Sequence, residues 1–240
     1  MKKLFVFAVL ALAATGFCFA QRAAEYDLGK SSGENVDYNR IGLSFDNTSF
    51  SPNSDAKNII DGTISTNGFG LNYIHGFSLS NSLPMFIETG ANVNFNFGSK
   101  GYEEGTKLIV QNFNLQVPVN YVYRFTLADD FSLAPYVGLN FKLNLATRFK
   151  EALEDGYIWN DGSDDDTDWV SVFDKDEMGE DGTWNRFQMG WHVGVGVQYS
   201  KIHLGLQYGT DFISAFSYSE GGYKPAINTG NFKMTLSYCF

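Results

Sequence analysis

The sequence predicts an all-β protein, an eight-stranded antiparallel up-and-down transmembrane β-barrel, from three observations. Apolar and polar residues alternate with a period of two in segments of about ten residues or more, the length that a tilted membrane-spanning strand requires. The connections between these segments alternate between long and short. Aromatic residues, with 22 Phe and 13 Tyr in the chain, collect near the ends of the segments, as in the aromatic girdles of membrane barrels.

The N-terminal segment has the composition of a secretory signal peptide. Lys2 and Lys3 precede the apolar run Leu4–Ala14, and small residues lead to a cleavage site after Ala20. Beyond it no run approaches the ~18 consecutive apolar residues of a membrane-spanning helix. The predicted parts of the chain are a signal peptide, a periplasmic N-terminal tail and a β-barrel, at residues 1–20, 21–37 and 38–240.

Cysteine usage supports the same route of export without disulfide bonds. Phe17 stands before Cys18, where a lipoprotein signal needs a small residue, so we do not expect a lipid anchor. Cleavage removes Cys18 and leaves Cys239 as the sole cysteine. An intrachain disulfide is then excluded, although the destination is oxidising.

Eight segments show the alternation. It is clearest in Ile109–Phe125, where the odd positions are apolar or aromatic except for Gln111, and the even positions include Asn112 and Asn114. The predicted strands are Arg40–Phe45, Gly68–Phe77, Met85–Phe97, Ile109–Phe125, Phe131–Leu145, Arg186–Tyr199, Ile202–Phe212 and Ile227–Phe240. An even number of strands is expected for a single-chain bacterial barrel.

The lengths of the connections separate a membrane barrel from a soluble β-sandwich, since such barrels pair short periplasmic turns with longer external loops. The long connections are residues 46–67, 98–108, 146–185 and 213–226, and the short ones lie near residues 81–82, 129–130 and 200–201. This order places both termini in the periplasm. Ten strands remain an alternative, if residues 153–159 and 169–173 extend the neighbouring strands.

The interior of an eight-stranded barrel is just wide enough to be filled by side chains. The alternation predicts an inward polar network that includes Arg40, Glu88, Lys142, Arg186, His192 and Lys233. Glu88 is the sole acid in the predicted inward set, and we expect it to be paired with a cation, because an unpaired buried charge is costly. Two interpretations stay open: a static polar filling, which is favoured, and a gate whose ion pairs switch to open a narrow pore.

An acidic external loop, residues 147–185, is the most unusual segment. Residues 150–183 contain thirteen acidic and two basic residues, a net charge of −11, against −10 for the whole chain. The loop could be solvated, bind a surface partner, or hold a divalent cation weakly through carboxylate oxygens. The candidate metal ligands are Asp164, Asp166, Asp174 and Asp176. The nearest calcium-loop pattern begins at Asp174 but has Met178 in a ligand position, so the match is weak. Apart from a weakly bound divalent cation, no cofactor is expected.

An enzymatic function needs a nucleophile and a base side by side. The chain has three histidines, His75, His192 and His203, and none has an evident Ser and acid constellation around it in the pattern. His75 is predicted near the periplasmic end and His203 at a periplasmic turn. We therefore predict no catalytic residues and a protein that is not an enzyme.

The last strand carries a family resemblance. Apolar and aromatic residues alternate up to the C-terminus at Phe232, Met234, Leu236, Tyr238 and Phe240. They resemble the C-terminal signal read by the barrel-assembly machinery of outer membranes. With this strand, the chain resembles the small outer-membrane β-barrel superfamily of OmpA/OmpX-like eight-stranded barrels, in particular its PorT-like branch.

The resemblance implies an outer-membrane location and a lipid-facing exterior, but little about activity, since the members include structural proteins, adhesins, small transporters and secretion accessories. We expect a monomer with a structural or surface-interaction role, in which the external loops contact a surface protein or ligand. The alternatives are narrow solute passage or a secretion-accessory barrel and, more remotely, a lipid-modifying enzyme. No nucleic-acid partner is expected.

Overall fold

The computed structural model describes residues 35–58, 62–102, 105–153, 168–174, 183–219 and 221–240. The predicted signal peptide lies outside the described residues, as does the predicted tail up to residue 34. No helix in the described ranges combines the length and the apolar character needed to cross a membrane.

Twelve strands in the described part of the chain form one antiparallel sheet. In chain order they are β1 (Tyr38–Pro52), β2 (Ile64–Ser78), β3 (Met85–Gly101), β4 (Thr106–Tyr123), β5 (Phe125–Ala128), β6 (Phe131–Leu153), β7 (Val170–Ser171), β8 (Thr183–Trp184), β9 (Phe187–Tyr199), β10 (Ile202–Asp211), β11 (Phe216–Ser217) and β12 (Ala226–Cys239). A short 3-10 helix, Ala56–Asn58, follows β1.

The eight long strands close into a ring. They pair in the order β1-β2-β3-β4-β6-β9-β10-β12, and β12 pairs back with β1, for example at Leu236 and Leu43. The short strands lie off this ring: β5 and β7 pair with β6, and β8 pairs with β11 beside β12. Closure satisfies the backbone groups that an open sheet edge would leave unpaired. The structure confirms the predicted eight-stranded antiparallel barrel.

The barrel has two unlike rims. At the terminal rim the backbones of Asn39 and Phe240 exchange two hydrogen bonds of 3.0 and 2.9 Å, so the first and last strands end side by side. At this rim two residues separate β9 from β10, and six separate β2 from β3. Three of the four connections at the opposite end, called the loop rim, are longer than those at the terminal rim. The fourth, residues 102–105, has only four residues, so the predicted strict alternation of long and short connections is wrong at this place.

Several strands extend farther towards the loop rim than the sequence predicted. β1 continues seven residues past Phe45, to Pro52, and β6 continues eight residues past Leu145, to Leu153. The connection predicted at residues 46–67 is therefore reduced to 53–63, and the one predicted at 98–108 is reduced to 102–105. The start of the predicted acidic loop, residues 147–153, is strand.

The middle of the barrel has an apolar exterior and a polar interior. The outward side chains are exposed hydrophobic residues, here called the apolar belt: Ile41, Leu43, Phe69, Leu71, Tyr73, Val93, Phe95, Phe113, Leu139, Leu143, Val193, Leu204, Leu206, Phe232, Met234 and Leu236. The inward positions of the same strands hold buried Asn, Gln, Thr and charged residues. This is the distribution that hydrocarbon outside and a filled lumen inside require.

Between the belt and the loop rim the two faces of the strands are reversed: the outward side chains are polar and the inward ones apolar. We call this part of the barrel the rim section. On β1 the outward Ile41, Leu43 and Phe45 are succeeded by Asn47, Ser49 and Ser51, while Phe50 stands at an inward position. On β2 Ser65 is exposed and Ile64 is buried, and on β12 Asn228 is exposed and Ile227 is buried. A polar exterior and an apolar interior are typical of a strand in water. The rim section therefore stands outside the hydrocarbon.

A β-bulge lies at the boundary between the belt and the rim section. Asn114 on β4 is opposite Asn144 on β6, but Phe113 is opposite Ala146, so Leu145 has no partner. An extra residue shifts the period of a strand by one. Beyond the bulge the odd-numbered residues of β6 face inward, which places Thr147 and Phe149 inside the barrel.

Candidate functional site in the lumen and at the loop rim

The lumen near the terminal rim is closed around a buried ion pair. The Arg40 guanidinium donates two hydrogen bonds to the Glu88 carboxylate, Nη1 to Oε1 at 2.6 Å and Nη2 to Oε2 at 2.8 Å. The Tyr38 hydroxyl and the Asn120 amide donate to the same carboxylate. Glu88 is 1% exposed. A bidentate pair with further donors is the geometry that compensates a buried carboxylate best.

An apolar and aromatic cap lies against this pair. Phe86, Val122 and Ala134 form a buried cluster, and the Tyr38 ring packs edge-on against Phe86 with 5.3 Å between the ring centroids. The Arg124 guanidinium lies 4.4 Å from the Tyr38 centroid and 4.6 Å from that of Phe86. The cap and the ion pair together fill the barrel at the terminal rim.

Gly76 leaves the room that the Tyr38 ring occupies. A Cβ atom at position 76 would lie 2.4 Å from two ring carbons of Tyr38. We expect Gly76→Ala to lower the free energy of unfolding by about 1–3 kcal/mol. The Tyr38 ring cannot move away from the new Cβ atom without breaking the hydrogen bond of its hydroxyl to Glu88. Urea titration of the reconstituted protein measures this. Gly230→Ala is the matched control, since its Cβ would meet the Ser49 hydroxyl at 3.0 Å and the Tyr208 hydroxyl at 3.9 Å. Equal losses in the two variants would contradict the interpretation.

A second ion pair lies in the middle of the lumen. The Lys233 ammonium donates to Gln116 Oε1 at 2.5 Å and lies 3.7 Å from Asp46 Oδ2. Asp46 is 0% exposed, and its other oxygen accepts hydrogen bonds from Thr48, Asn96 and Asn231 at 2.7–2.9 Å. The sequence interpretation placed Asp46 in a loop, because the apolar outward pattern ends at Phe45.

A third pair lies nearer to the loop rim. Lys142 Nζ is 2.6 Å from Asp211 Oδ2, and the Thr229 hydroxyl donates to the same carboxylate. The expectation that Glu88 is the sole acid in the lumen is therefore wrong. Asp46 and Asp211 are buried as well, and each of the three acids is paired with a cation. Together with the buried amides, these three pairs form what we call the polar plug.

The imidazoles have amide, guanidinium and carboxylate partners. His192 Nε2 lies 2.6 Å from Asn120 Oδ1 in the lumen, and His75 Nδ1 lies 2.8 Å from Asn39 Oδ1. His203 was expected at a turn, but it is buried on β10, with its Nε2 3.4 Å from Arg40 Nη1. His75 Nε2 also lies 3.8 Å from Asp37 Oδ2. None of these four contacts joins a hydroxyl or thiol to an imidazole.

Arg186 was expected in the lumen and is not there. It is exposed just before β9 begins at Phe187; its guanidinium donates to the Leu145 carbonyl at 3.2 Å and lies 4.0 Å from the Phe173 ring centroid. The even-numbered positions do face inward from Gln188 onward. The error came from extending the alternation one position beyond the end of the strand, to the loop rim.

The predicted C-terminal signal residues share the outer face of β12. All five are exposed, and their strand pairs with β1 on one side and β10 on the other. These residues are Phe232, Met234, Leu236, Tyr238 and Phe240.

The predicted metal ligands are only partly described. Asp174 is exposed at the end of residues 168–174, and its backbone amide donates to the Ser171 carbonyl at 3.1 Å. Asp164, Asp166 and Asp176 lie outside the described residues. Among the residues that the structure does describe, no three His, Cys, Asp or Glu side chains are grouped so that they could hold a metal ion.

A cavity in the rim section was not expected from the sequence. Its volume is about 440 Å³, and nine of the twelve described residues that line it are apolar or aromatic. The lining residues are Phe50, Ile64, Tyr102, Thr106, Leu108, Val110, Thr147, Phe149, Glu151, Val172, Trp184 and Ile227. The sequence pattern that could have revealed the cavity is the reversal of polar and apolar faces in the rim section. This reversal brings apolar residues of β1, β2, β4, β6 and β12 to the inside.

Solved structures with a similar architecture include three small outer-membrane proteins. Ail, the attachment invasion locus protein of Yersinia pestis, is 13% identical, and the match covers 85% of this chain and 99% of Ail, with a TM-score of 0.38. OprG of Pseudomonas aeruginosa is 12% identical over 87% of this chain and 98% of its own, with a TM-score of 0.44. Neisserial surface protein A is 13% identical over 84% and 96%, with a TM-score of 0.36.

Comparison with curated proteins gives no match. The family model described as the outer membrane protein beta-barrel domain matches residues 39–217, which is most of the ring from β1 to β10. The chain therefore belongs to this family of outer-membrane β-barrels.

Proposed function

We propose that this outer-membrane barrel works by binding a molecule at its loop rim, and that its lumen is a permanent filling. The observation that carries the proposal is the polar plug. Three buried ion pairs, Arg40–Glu88, Asp46–Lys233 and Lys142–Asp211, occupy successive levels of the interior. Breaking one buried pair so that a charge stays unpaired costs about 3–5 kcal/mol.

A continuous path for solutes would need several such pairs to separate together. The cap of Phe86, Val122 and Ala134 would also have to move. Narrow solute passage and a switching gate are therefore less well supported than a closed scaffold. The contacts of the three histidines likewise favour binding over hydrolysis.

The orientation belongs to the same proposal. Three of the four connections at the loop rim, all except residues 102–105, are longer than those at the terminal rim. Short periplasmic turns with longer external loops are the pattern of outer-membrane barrels with both termini in the periplasm. We propose that the signal peptide is cleaved after Ala20, that the outward residues of β12 are read by the barrel-assembly machinery, and that the barrel functions as a monomer. The loop rim then faces the cell exterior.

Conductance in a planar lipid bilayer tests the closed lumen. The reconstituted wild-type barrel should show no discrete conductance steps, because the plug and the cap block the lumen. Heat-modifiable migration on a gel, measured on protein recovered from the same vesicles, controls for correct folding. Reproducible single-channel steps from folded protein would overturn the proposal and support narrow passage.

A further inference from the structure

We infer that the cavity in the rim section is a binding site for a small, mainly apolar molecule that carries one hydrogen-bond-donating group. The inference deepens the proposed function, because it gives the chemistry of the molecule bound at the loop rim. Binding pockets for small molecules usually measure about 300–1,000 Å³ and are lined mostly by apolar and aromatic side chains with a few polar groups. The cavity of about 440 Å³ has this size and lining.

The cavity belongs to a section of the barrel that does not need an apolar interior for membrane insertion. At the same height the exterior is polar, with Ser65 exposed beside the buried Ile64, and Asn228 exposed beside the buried Ile227. An apolar space that protein atoms leave unfilled forfeits dispersion contacts along its lining. An apolar ligand would restore those contacts.

The cavity borders the polar plug at Thr147. Thr147, which lines the cavity, is buried and accepts a hydrogen bond of 2.6 Å from the Asn112 amide. Asn112 also donates to Asn144 at 3.0 Å, within the network that fills the lumen. A molecule that enters the cavity therefore has no continuation into the barrel, which fits a binding site and does not fit a channel.

Among the described lining residues, the polar side chains lie on one wall. Thr106, Thr147 and Glu151 lie on the adjacent strands β4 and β6, where Glu151 is in register with Leu108 and Thr147 with Asn112. Glu151 is exposed, so this end of the wall reaches the surface. A carboxylate there favours a ligand group that donates a hydrogen bond or carries positive charge, and it disfavours an anion.

The facing side of the cavity is apolar and partly aromatic. Phe50 on β1, Ile64 on β2 and Ile227 on β12 contribute to it, and the Trp184 ring is held beside Phe216 with 5.4 Å between their centroids. Flat aromatic walls pack well against planar ligands through offset or edge contacts. A planar ring with one donor group at its edge matches both sides of the cavity.

Two probes with the same ring system test the inference: 2-naphthol, which donates a hydrogen bond, and 2-naphthoate, which is anionic. Binding to the barrel in lipid nanodiscs is measured by equilibrium dialysis, with empty nanodiscs subtracted. We expect saturable 2-naphthol binding, at least about tenfold tighter than 2-naphthoate, a factor that corresponds to ~1.4 kcal/mol. Glu151→Gln should reduce this preference to within about twofold of equality, as expected for loss of one charge-assisted contact.

Filling the cavity gives the matched control. Val110→Trp places a large ring in the cavity and should abolish saturable binding, while Ile109→Trp places the same ring on the adjacent outward position and should leave it unchanged. Leu108→Trp is a second filling variant, and heat-modifiable migration verifies that each variant folds. Equal binding by the Val110→Trp and Ile109→Trp variants, or no saturable binding by the wild type, would overturn the inference.

Two further outcomes are decisive. Equal affinity for the two probes, or displacement of 2-naphthol by an alkyl maltoside at equal concentration, would show that the cavity accepts any alkyl chain and would overturn the assignment of the ligand. A negative dialysis result with silent bilayers would refute this inference and leave the closed lumen standing. Conducting bilayers together with selective 2-naphthol binding would refute the closed lumen and leave this inference standing.

Discussion

Replacing Glu88 by leucine should lower the free energy of unfolding of the reconstituted barrel by about 3–5 kcal/mol. The carboxylate is the acceptor for both guanidinium nitrogens of Arg40, for the Tyr38 hydroxyl and for Asn120. Its removal leaves a buried cation and two donors without that acceptor. Urea-induced unfolding in lipid vesicles, followed by the loss of heat-modifiable migration, measures the change.

The matched control removes both charges. In Arg40→Met combined with Glu88→Leu no buried charge is left unpaired, so the double variant should recover most of the stability lost by the single one. A loss below about 1 kcal/mol in Glu88→Leu alone would mean that water enters the lumen and solvates Arg40, at odds with a dry plug.

Replacing Leu71 by arginine should lower the free energy of unfolding by about 2–4 kcal/mol, the cost of placing a cation on the lipid face near the middle of a bilayer. Leu71 is an outward residue of β2, 64% exposed in the protein alone, and it lies between the belt residues Phe69 and Tyr73. In the membrane its environment is hydrocarbon. The same vesicle titration measures the effect.

Ser65→Arg is the control on the same strand and the same face. Ser65 is exposed in the rim section, six residues from Leu71 towards the loop rim. A surface substitution in water usually changes stability by less than about 0.5 kcal/mol. Equal losses at positions 65 and 71 would show that the hydrocarbon reaches the rim section, which would refute the boundary between the apolar belt at Phe69 and the rim section at Ser65.

The barrel could be predicted from the sequence wherever lipid forces the outward face to be apolar. That constraint makes the belt strands periodic over many residues, as in Ile109–Phe125. Beyond Phe45 the constraint disappears and then reverses, so that Asp46 and Ser49 look like loop residues although β1 continues to Pro52. Strand ends outside the membrane therefore escaped prediction, and with them the cavity.

The lumen was predictable in composition but not in pairing. Alternation alone places Arg40, Glu88 and Lys233 inside, because it reports which face of a strand a residue occupies. It does not report which strands are neighbours or in what register they pair, so the pairing of Lys233 on β12 with Asp46 on the neighbouring β1 required the register of the closed ring. Arg186 shows the converse error, because alternation has no meaning past the last paired residue.

Because of the bulge at Leu145, the face on which a later residue of β6 lies depends on the number of residues that precede it in the strand. One unmatched position decides that Phe149 lines the cavity and that Lys150 does not. A lineage could therefore exchange the part of β6 beyond the bulge between its two environments by inserting or deleting a single codon, with every other side chain retained. A change of one residue in the length of β6 can thus replace the side chains that it contributes to the cavity, while its residues in the membrane keep their inward or outward orientation.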